Sequence, residues 1–252
     1  MPIVADREDD DILICAGDTI RRSIDRGESW TTVVEARSFG LAQAPDAAIY
    51  AGGVPFLRSV DHGATFEPYG DLSCEAWQVA ADPHQAGRVS AACPDDGFYT
   101  TDDGTTWRRI DLDAPAGHAY SALVFDPMAP GHLAATLNQE GELGLAAQVM
   151  ISTDAGESWL VVTPELECAF APAILYLSDA AGHLVVGTQS ADHYCPSIAG
   201  QLLESTDNGA TWYDVTANLW PPQVHVGGLF EGPDGDLFVS TWDGGVCRRD
   251  PR

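Results

Sequence analysis

The sequence predicts an all-β propeller of six blades, with seven as the alternative count and about four antiparallel strands to a blade. Three observations predict it. One octet, Ser/Thr-x-Asp-x-Gly-x-Ser/Thr-aromatic, occurs five times: SIDRGESW at 23–30, SVDHGATF at 59–66, TTDDGTTW at 100–107, STDAGESW at 152–159 and STDNGATW at 205–212. The copies follow one another at steps of 36, 41, 52 and 53 residues, a period that belongs to propellers and arrays. Each copy also lies between two short alternating apolar runs, which is the pattern of a hairpin turn. At 252 residues, six such units account for the whole chain as one domain, 1–252.

The strands fall into order around this ruler. The chain opens on 12–17 and 19–23, in the second- and third-strand places of a blade. First strands run to a Pro or Asp at 40–45, 78–83, 122–127, 173–179 and 228–233, and second strands follow at 47–52, 88–93, 132–137, 183–188 and 236–241. Third strands enter the octets at 55–59, 97–101, 148–152, 201–205 and 245–249, and fourth strands leave them at 65–69, 106–112, 158–163 and 211–216. An eroded sixth octet is expected from Arg248. Because the chain opens and closes part-way through a blade, ring closure is expected to combine its ends, with 2–5 as a strand borrowed beside the final unit. Closure matters because an open blade exposes unpaired strand edges.

The octet has a physical reading. Its Asp is a short acceptor able to bond backbone N–H groups just downstream, and its Gly tolerates the positive φ of a tight turn. The terminal aromatic begins the next strand with a large apolar face. Asp25, Asp61, Asp102, Asp154 and Asp207 therefore read as structural turn staples, with no catalysis required.

In these octets the chain resembles the Asp-box, or bacterial neuraminidase repeat, family of sialidase-like β-propellers. Relatives of that kind include sialidases, xyloglucan-cleaving glucanases, sortilin-type receptors and photosystem assembly factors. The resemblance implies that the box turns between the third and fourth strands of a blade, away from the functional face. It leaves activity open, since one architecture hosts many functions.

Charge excludes some partners. There are 38 acidic residues against 12 basic ones, all of them Arg, for a net charge of −26. Such a surface opposes nucleic acid and anionic membrane, and reads as a strongly solvated surface. No apolar run approaches a membrane helix and the start, MPIVADREDDD, is no signal peptide. Acidic loops would suit Ca²⁺, but no twelve-residue loop pattern supports it, so neither a cofactor nor a metal site is expected.

The six cysteines fall into a pattern. Cys74 and Cys168 each precede a first strand, while Cys93 ends, and Cys195 lies just past, the second strand of the same unit. The start of one antiparallel strand lies beside the end of the next, so Cys74–Cys93 and Cys168–Cys195 are expected as disulfides. That pairing implies an oxidising compartment and hence a periplasmic, secreted or cell-surface protein. Cys15 reads as a small buried thiol, and Cys247 has no assigned partner.

Loops joining fourth to first strands, and second to third, share the rim opposite the octets. Loops on a rigid scaffold commonly carry function. This rim gathers Arg37, Glu75, Trp77, Asp96, His118, Tyr120, Glu167, Phe170, Asp192, His193, Tyr194, Trp220, His225, Trp242 and Asp243, together with insertions at 138–147 and 189–200. Aromatics beside carboxylates suit a sugar or a cation, although Trp77 and Phe170 also fit as plugs of a central channel. His193 with Asp192 and Cys195 is a faint metal cluster that a disulfide-capped loop explains more simply.

Sialidase activity is not expected. The resemblance would require three Arg gripping a carboxylate, whereas here only Arg37, and less clearly Arg88, maps to the rim; Arg21, Arg22, Arg58, Arg108, Arg109, Arg248 and Arg249 lie on third or fourth strands, toward the outside. No GxSxG, HExxH, CxxC or phosphate loop occurs. The expected function is a monomeric, non-enzymatic bacterial propeller holding a glycan, peptide or protein. The alternative is a glycoside hydrolase using two rim carboxylates.

Overall fold

The computed structural model describes residues 2–112, 118–141, 144–163, 166–167, 169–190, 200–218, 225–242 and 245–249. These form an all-β, six-bladed propeller built of antiparallel sheets. The chain divides into two compact units, Met1–Ile110 and Asp111–Arg252, with three blades in each.

In the first unit, blade 1 is β1 (Ile3–Ala5), β2 (Leu13–Ala16), β3 (Ile20–Ser23) and β4 (Thr31–Val34). Blade 2 is β5 (Ser38–Gln43), β6 (Ile49–Gly53), β7 (Leu57–Ser59) and β8 (Glu67–Pro68). Blade 3 is β9 (Gln78–Ala81), β10 (Val89–Cys93), β11 (Gly97–Thr101) and β12 (Arg108–Ile110). In the second unit, blade 4 is β13 (His118–Phe125), β14 (Leu133–Gly141), β15 (Gly144–Ser152) and β16 (Leu160–Val161), with β17 (Leu166–Glu167) added along β15. Blade 5 is β18 (Ala169–Tyr176), β19 (Leu184–Ser190), β20 (Leu202–Ser205) and β21 (Tyr213–Asp214). Blade 6 is β22 (Val226–Glu231), β23 (Leu237–Thr241) and β24 (Gly245–Arg249).

Burial explains the composition of each strand. Second strands β6 and β10 are buried at every residue; blades 1 and 3 cover the two faces of β6 through Ile49 and Tyr50, and both strands read as continuous small and apolar runs. Outermost strands β8, β16 and β21 are exposed. Between blades 1 and 2, Ile14 and Ile20 pack with Ile49 and Leu57, and between blades 2 and 3, Tyr50 and Phe56 pack with Val79 and Val89. In the second unit, Val149 and Ile151 meet Ile174 and Val186, and Val185 and Leu202 meet Val226 and Val239.

The N-terminal strand departs from expectation. Ile3–Ala5 pairs with β2, Ile3 opposite Cys15 and Ala5 opposite Leu13, so it is the first strand of its own blade rather than a strand lent to the last one. Its short turn explains this: Asp6 accepts the amides of Glu8 and Asp9 and closes the chain back onto β2.

The repeated turn is held by one set of bonds. Ser23 Oγ donates to Asp25 Oδ1 at 2.7 Å and accepts the amide of Gly27 at 2.8 Å. Asp25 accepts the amide of Ser29 at 2.8 Å and its hydroxyl at 2.5 Å. The same set recurs at Ser59/Asp61/Thr65, Ser152/Asp154/Ser158 and Ser205/Asp207/Thr211. In the third copy the staple is Asp103 and not Asp102. Asp103 accepts both the amide and the hydroxyl of Thr105, while Asp102 faces Arg88 at 3.5 Å. Strand register sets the slip: the staple Ser stands opposite the first residue of each second strand, as in Leu13↔Ser23 and Ile49↔Ser59, and in blade 3 that place belongs to Thr101, opposite Val89. By the same register Arg249 occupies the Ser place in blade 6, opposite Leu237. It is not turned outward: it is buried against Glu204.

These bonds carry a pH signature. Asp25 and Asp154 are pulled down to about 2, first by the hydroxyls of Ser29 and Ser158. In Asp61 slight burial pushes the other way, and the bonds from Thr65 and Ser59 outweigh it, leaving it also at about 2. A carboxyl depressed on folding adds stability above its unfolded value, about 3.9, and loses it as pH falls through the folded one. Thermal melting should therefore be flat with respect to these turns above about pH 5, then drop between about pH 4 and pH 2. In Asp61→Ala, which removes bonds worth about 1 kcal/mol, that drop should be shallower; scanning calorimetry over this range reads it.

Candidate functional site

Arg37, Phe39, Glu75 and Trp77 come together on the rim away from the repeated turns. Arg37 stands between β4 and β5, Phe39 lies in β5, and Glu75 and Trp77 precede β9. Phe39 and Trp77 stack at 5.3 Å between ring centroids and 26° between planes. The Arg37 guanidinium covers Phe39 at 4.5 Å, giving a three-tier stack. Glu75 accepts the Trp77 indole N–H at 3.1 Å, which fixes the ring's orientation. Trp77 stays 53% exposed.

The segment that carries Trp77 is pinned on several sides. Cys74 is bonded to Cys93 at the end of β10, and the amide of Trp77 donates to the carbonyl of Ala92 at 2.9 Å. Ala76 is fully buried over Gly52, where a Cβ would sit 2.7 Å from the Ala76 carbonyl oxygen; only glycine lets the two backbones approach this closely. Beside the stack lies an open cavity of about 290 Å³ lined by Pro2, Ala16, Gly17, Asp18, Arg37, Ser38 and Phe39. Asp18 stands 3.7 Å from Arg37, with both side chains mainly in solvent. Further along this rim of the first unit, Asp96 accepts the Tyr99 hydroxyl at 2.8 Å. Arg88 does not belong to the rim: its side chain is buried against Asp82 and Asp102.

In the second unit, His118 and Tyr120 lie on β13 opposite Gln139 and Leu137, Glu167 lies on β17 opposite Ala146, and Phe170 lies on β18 opposite Gln189. Trp242 is 76% exposed, and its amide donates to the His225 carbonyl. Asp192, His193, Tyr194, Trp220 and Asp243 lie outside the described residues, as do Cys168 and Cys195. Cys15 is buried. Among the described residues no three metal-ligating side chains cluster, and no helix is long and apolar enough to cross a membrane.

Sequence reasoning missed Phe39 and Asp18. Phe39 alternates like any strand residue, and only the packing of blade 2 on blade 3 puts it under Trp77.

A family model for Sortilin-Vps10, described as sortilin, neurotensin receptor 3, matches residues 55–195, more than half of the chain. The chain belongs to the Sortilin-Vps10 family. None of the curated proteins compared by sequence matches it. Among solved structures, this Sortilin-Vps10 chain is similar to the GH74 xyloglucanase of Xanthomonas campestris, with a TM-score of 0.74 at 17% identity over 98% of this chain and 44% of that one. It thus spans less than half of the xyloglucanase chain. It is also similar to YCF48 from Cyanidioschyzon merolae (TM-score 0.51, 13% identity, 98% of this chain and 93% of that one). A third is the extracellular domain of a one-component system protein from B. thetaiotaomicron (TM-score 0.54, 10% identity, 98% and 38%). These likenesses show the propeller fold.

Proposed function

We propose that the chain is an exported, non-enzymatic binding propeller of the sialidase-like, Asp-box kind that holds a glycan on the Trp77 rim. The observation that carries this is the exposed Arg37–Phe39–Trp77 stack with Glu75 fixing the indole. A flat ring surface takes the C–H face of a sugar, and the charged groups around it, Glu75, Arg37 and Asp18, take hydroxyls; a few convergent polar groups beside apolar surface are what orient a small ligand. Glu75 and Asp96 each already accept a bond from a neighbouring aromatic residue, an arrangement that suits holding a ligand. The Cys74–Cys93 disulfide supports an oxidising compartment, and the Ser-Asp turn bonds support the Asp-box reading.

The test is a glycan array with a peptide array and a chromogenic glycoside panel beside it. Trp77→Ala should weaken glycan binding by about thirtyfold or more, as loss of a central aromatic anchor does, without moving the melting temperature by more than a few degrees. Binding confined to the peptide array would replace the glycan with a peptide. Turnover of a glycoside that Glu75→Gln abolishes would replace binding with hydrolysis.

A further inference from the structure

The disulfide, the buried Ala76 and the Trp77 amide bond all converge on one four-residue segment, and that segment supplies half of the aromatic stack. We propose that the Cys74–Cys93 disulfide is a redox control on the rim site: oxidised, it holds Trp77 on Phe39, and reduced, it releases the platform. This rests on the reading of Trp77 as the ligand platform.

Cys93 is 1% exposed and sits at the end of β10, where it pairs with Gly97 and its carbonyl accepts the amide of Asp96. Cys74 is half-buried, lies before β9, and belongs to no strand. One end of the bond is therefore fixed in a sheet and the other is a tether. Cys74 is the more exposed residue of the pair. A thiolate from an external dithiol attacks Cys74 Sγ, the S–S bond breaks, and Cys93 departs as a thiolate that takes a proton. The second thiol of the reductant then displaces Cys74, leaving two protein thiols and one oxidised dithiol. Without the tether the segment is held by the Trp77–Ala92 amide bond and the Ala76 contact, and these open more often. Opening of such a segment is local and is read by amide exchange.

The experiment uses the full chain without ligand. Hydrogen exchange is followed with and without dithiothreitol, with alkylation and mass mapping to confirm that Cys74 and Cys93 are reduced. The expected result is that exchange at Trp77 rises about tenfold or more while the turn amides of Gly63 and Gly156 are unchanged, and that Cys74→Ser/Cys93→Ser reproduces this without reductant. Unchanged protection at Trp77 in the reduced chain overturns the proposal. So does a uniform rise across both the segment and the turns, since the bond would then act on the whole fold. Neither outcome depends on binding, so loss of the ligand reading through Trp77→Ala is judged separately.

Discussion

Arg249→Met is expected to lower the unfolding free energy by about 3–5 kcal/mol, the cost of stripping the partner from a buried charge. Arg249 and Glu204 are 8% and 5% exposed and meet through two parallel bonds of 2.9 Å, the fork geometry that only a guanidinium offers. His183 approaches the same carboxylate at 2.9 Å and faces Asp179 with its other nitrogen at 2.7 Å. Burial pushes the Glu204 carboxyl up, but the bonds from Arg249 and His183 outweigh it, and the group is held below its ordinary value. In the native chain this contribution is present above the unfolded value and is lost as pH falls through the folded one.

In the variant the balance shifts. With Arg249 gone, burial still pushes the Glu204 carboxyl up and His183 is left to pull it down, so the group titrates higher than in the native chain and the cost of its charge falls away as pH drops. The gap between variant and native chain should therefore be wide at pH 7 and narrow near pH 4. Urea denaturation at the two pH values measures it. A loss below about 1 kcal/mol at pH 7, the range of ordinary surface changes, would show that Glu204 reaches solvent when Arg249 is removed. Replacing both residues, Glu204→Leu with Arg249→Met, should recover much of the loss, because an apolar pair can fill a site that a lone charge cannot.

The pair also shows where the sequence was legible and where it was not. The repeated octets locate the turns of five blades, and counting from them places Cys74 and Cys93 at adjoining strand ends, as the disulfide has them. Arg249 was not legible, because a third strand alternates in and out and the sequence does not say which face a neighbouring blade covers. The stack was hidden for a related reason: Phe39 and Trp77 belong to different blades, and glycine at position 52, whose effect depends on the Ala76 carbonyl opposite, brings them together. In TTDDGTTW the motif selects Asp102, two residues before the Gly, and not its neighbour Asp103. Only the pairing of Val89 with Thr101, a property of the sheet, decides that Asp103 closes the turn.

That slipped turn is also where Gly104→Ala should have its large effect. Relative to the staple Ser place the third turn reaches its Trp one residue sooner than the others, and Gly104 at φ +73° is its left-handed residue. A Cβ there would lie 2.1 Å from two carbons of the Tyr69 ring. The ring cannot easily withdraw. Its hydroxyl donates to the Gly87 carbonyl, its own amide donates to the Phe56 carbonyl and its carbonyl accepts the Trp107 indole, and Tyr50 packs edge-on at 5.3 Å. Alanine at this position costs about 1–2 kcal/mol for the left-handed backbone, and the clash adds about 1–3 kcal/mol of overpacking. Gly235, at φ +80° with nothing within 4 Å of its Cβ position, separates the two costs: Gly235→Ala should show the backbone cost alone. The two variants compared by urea denaturation should differ by the overpacking cost, and equal losses would mean that the Tyr69 ring moves aside at no expense to its bonds.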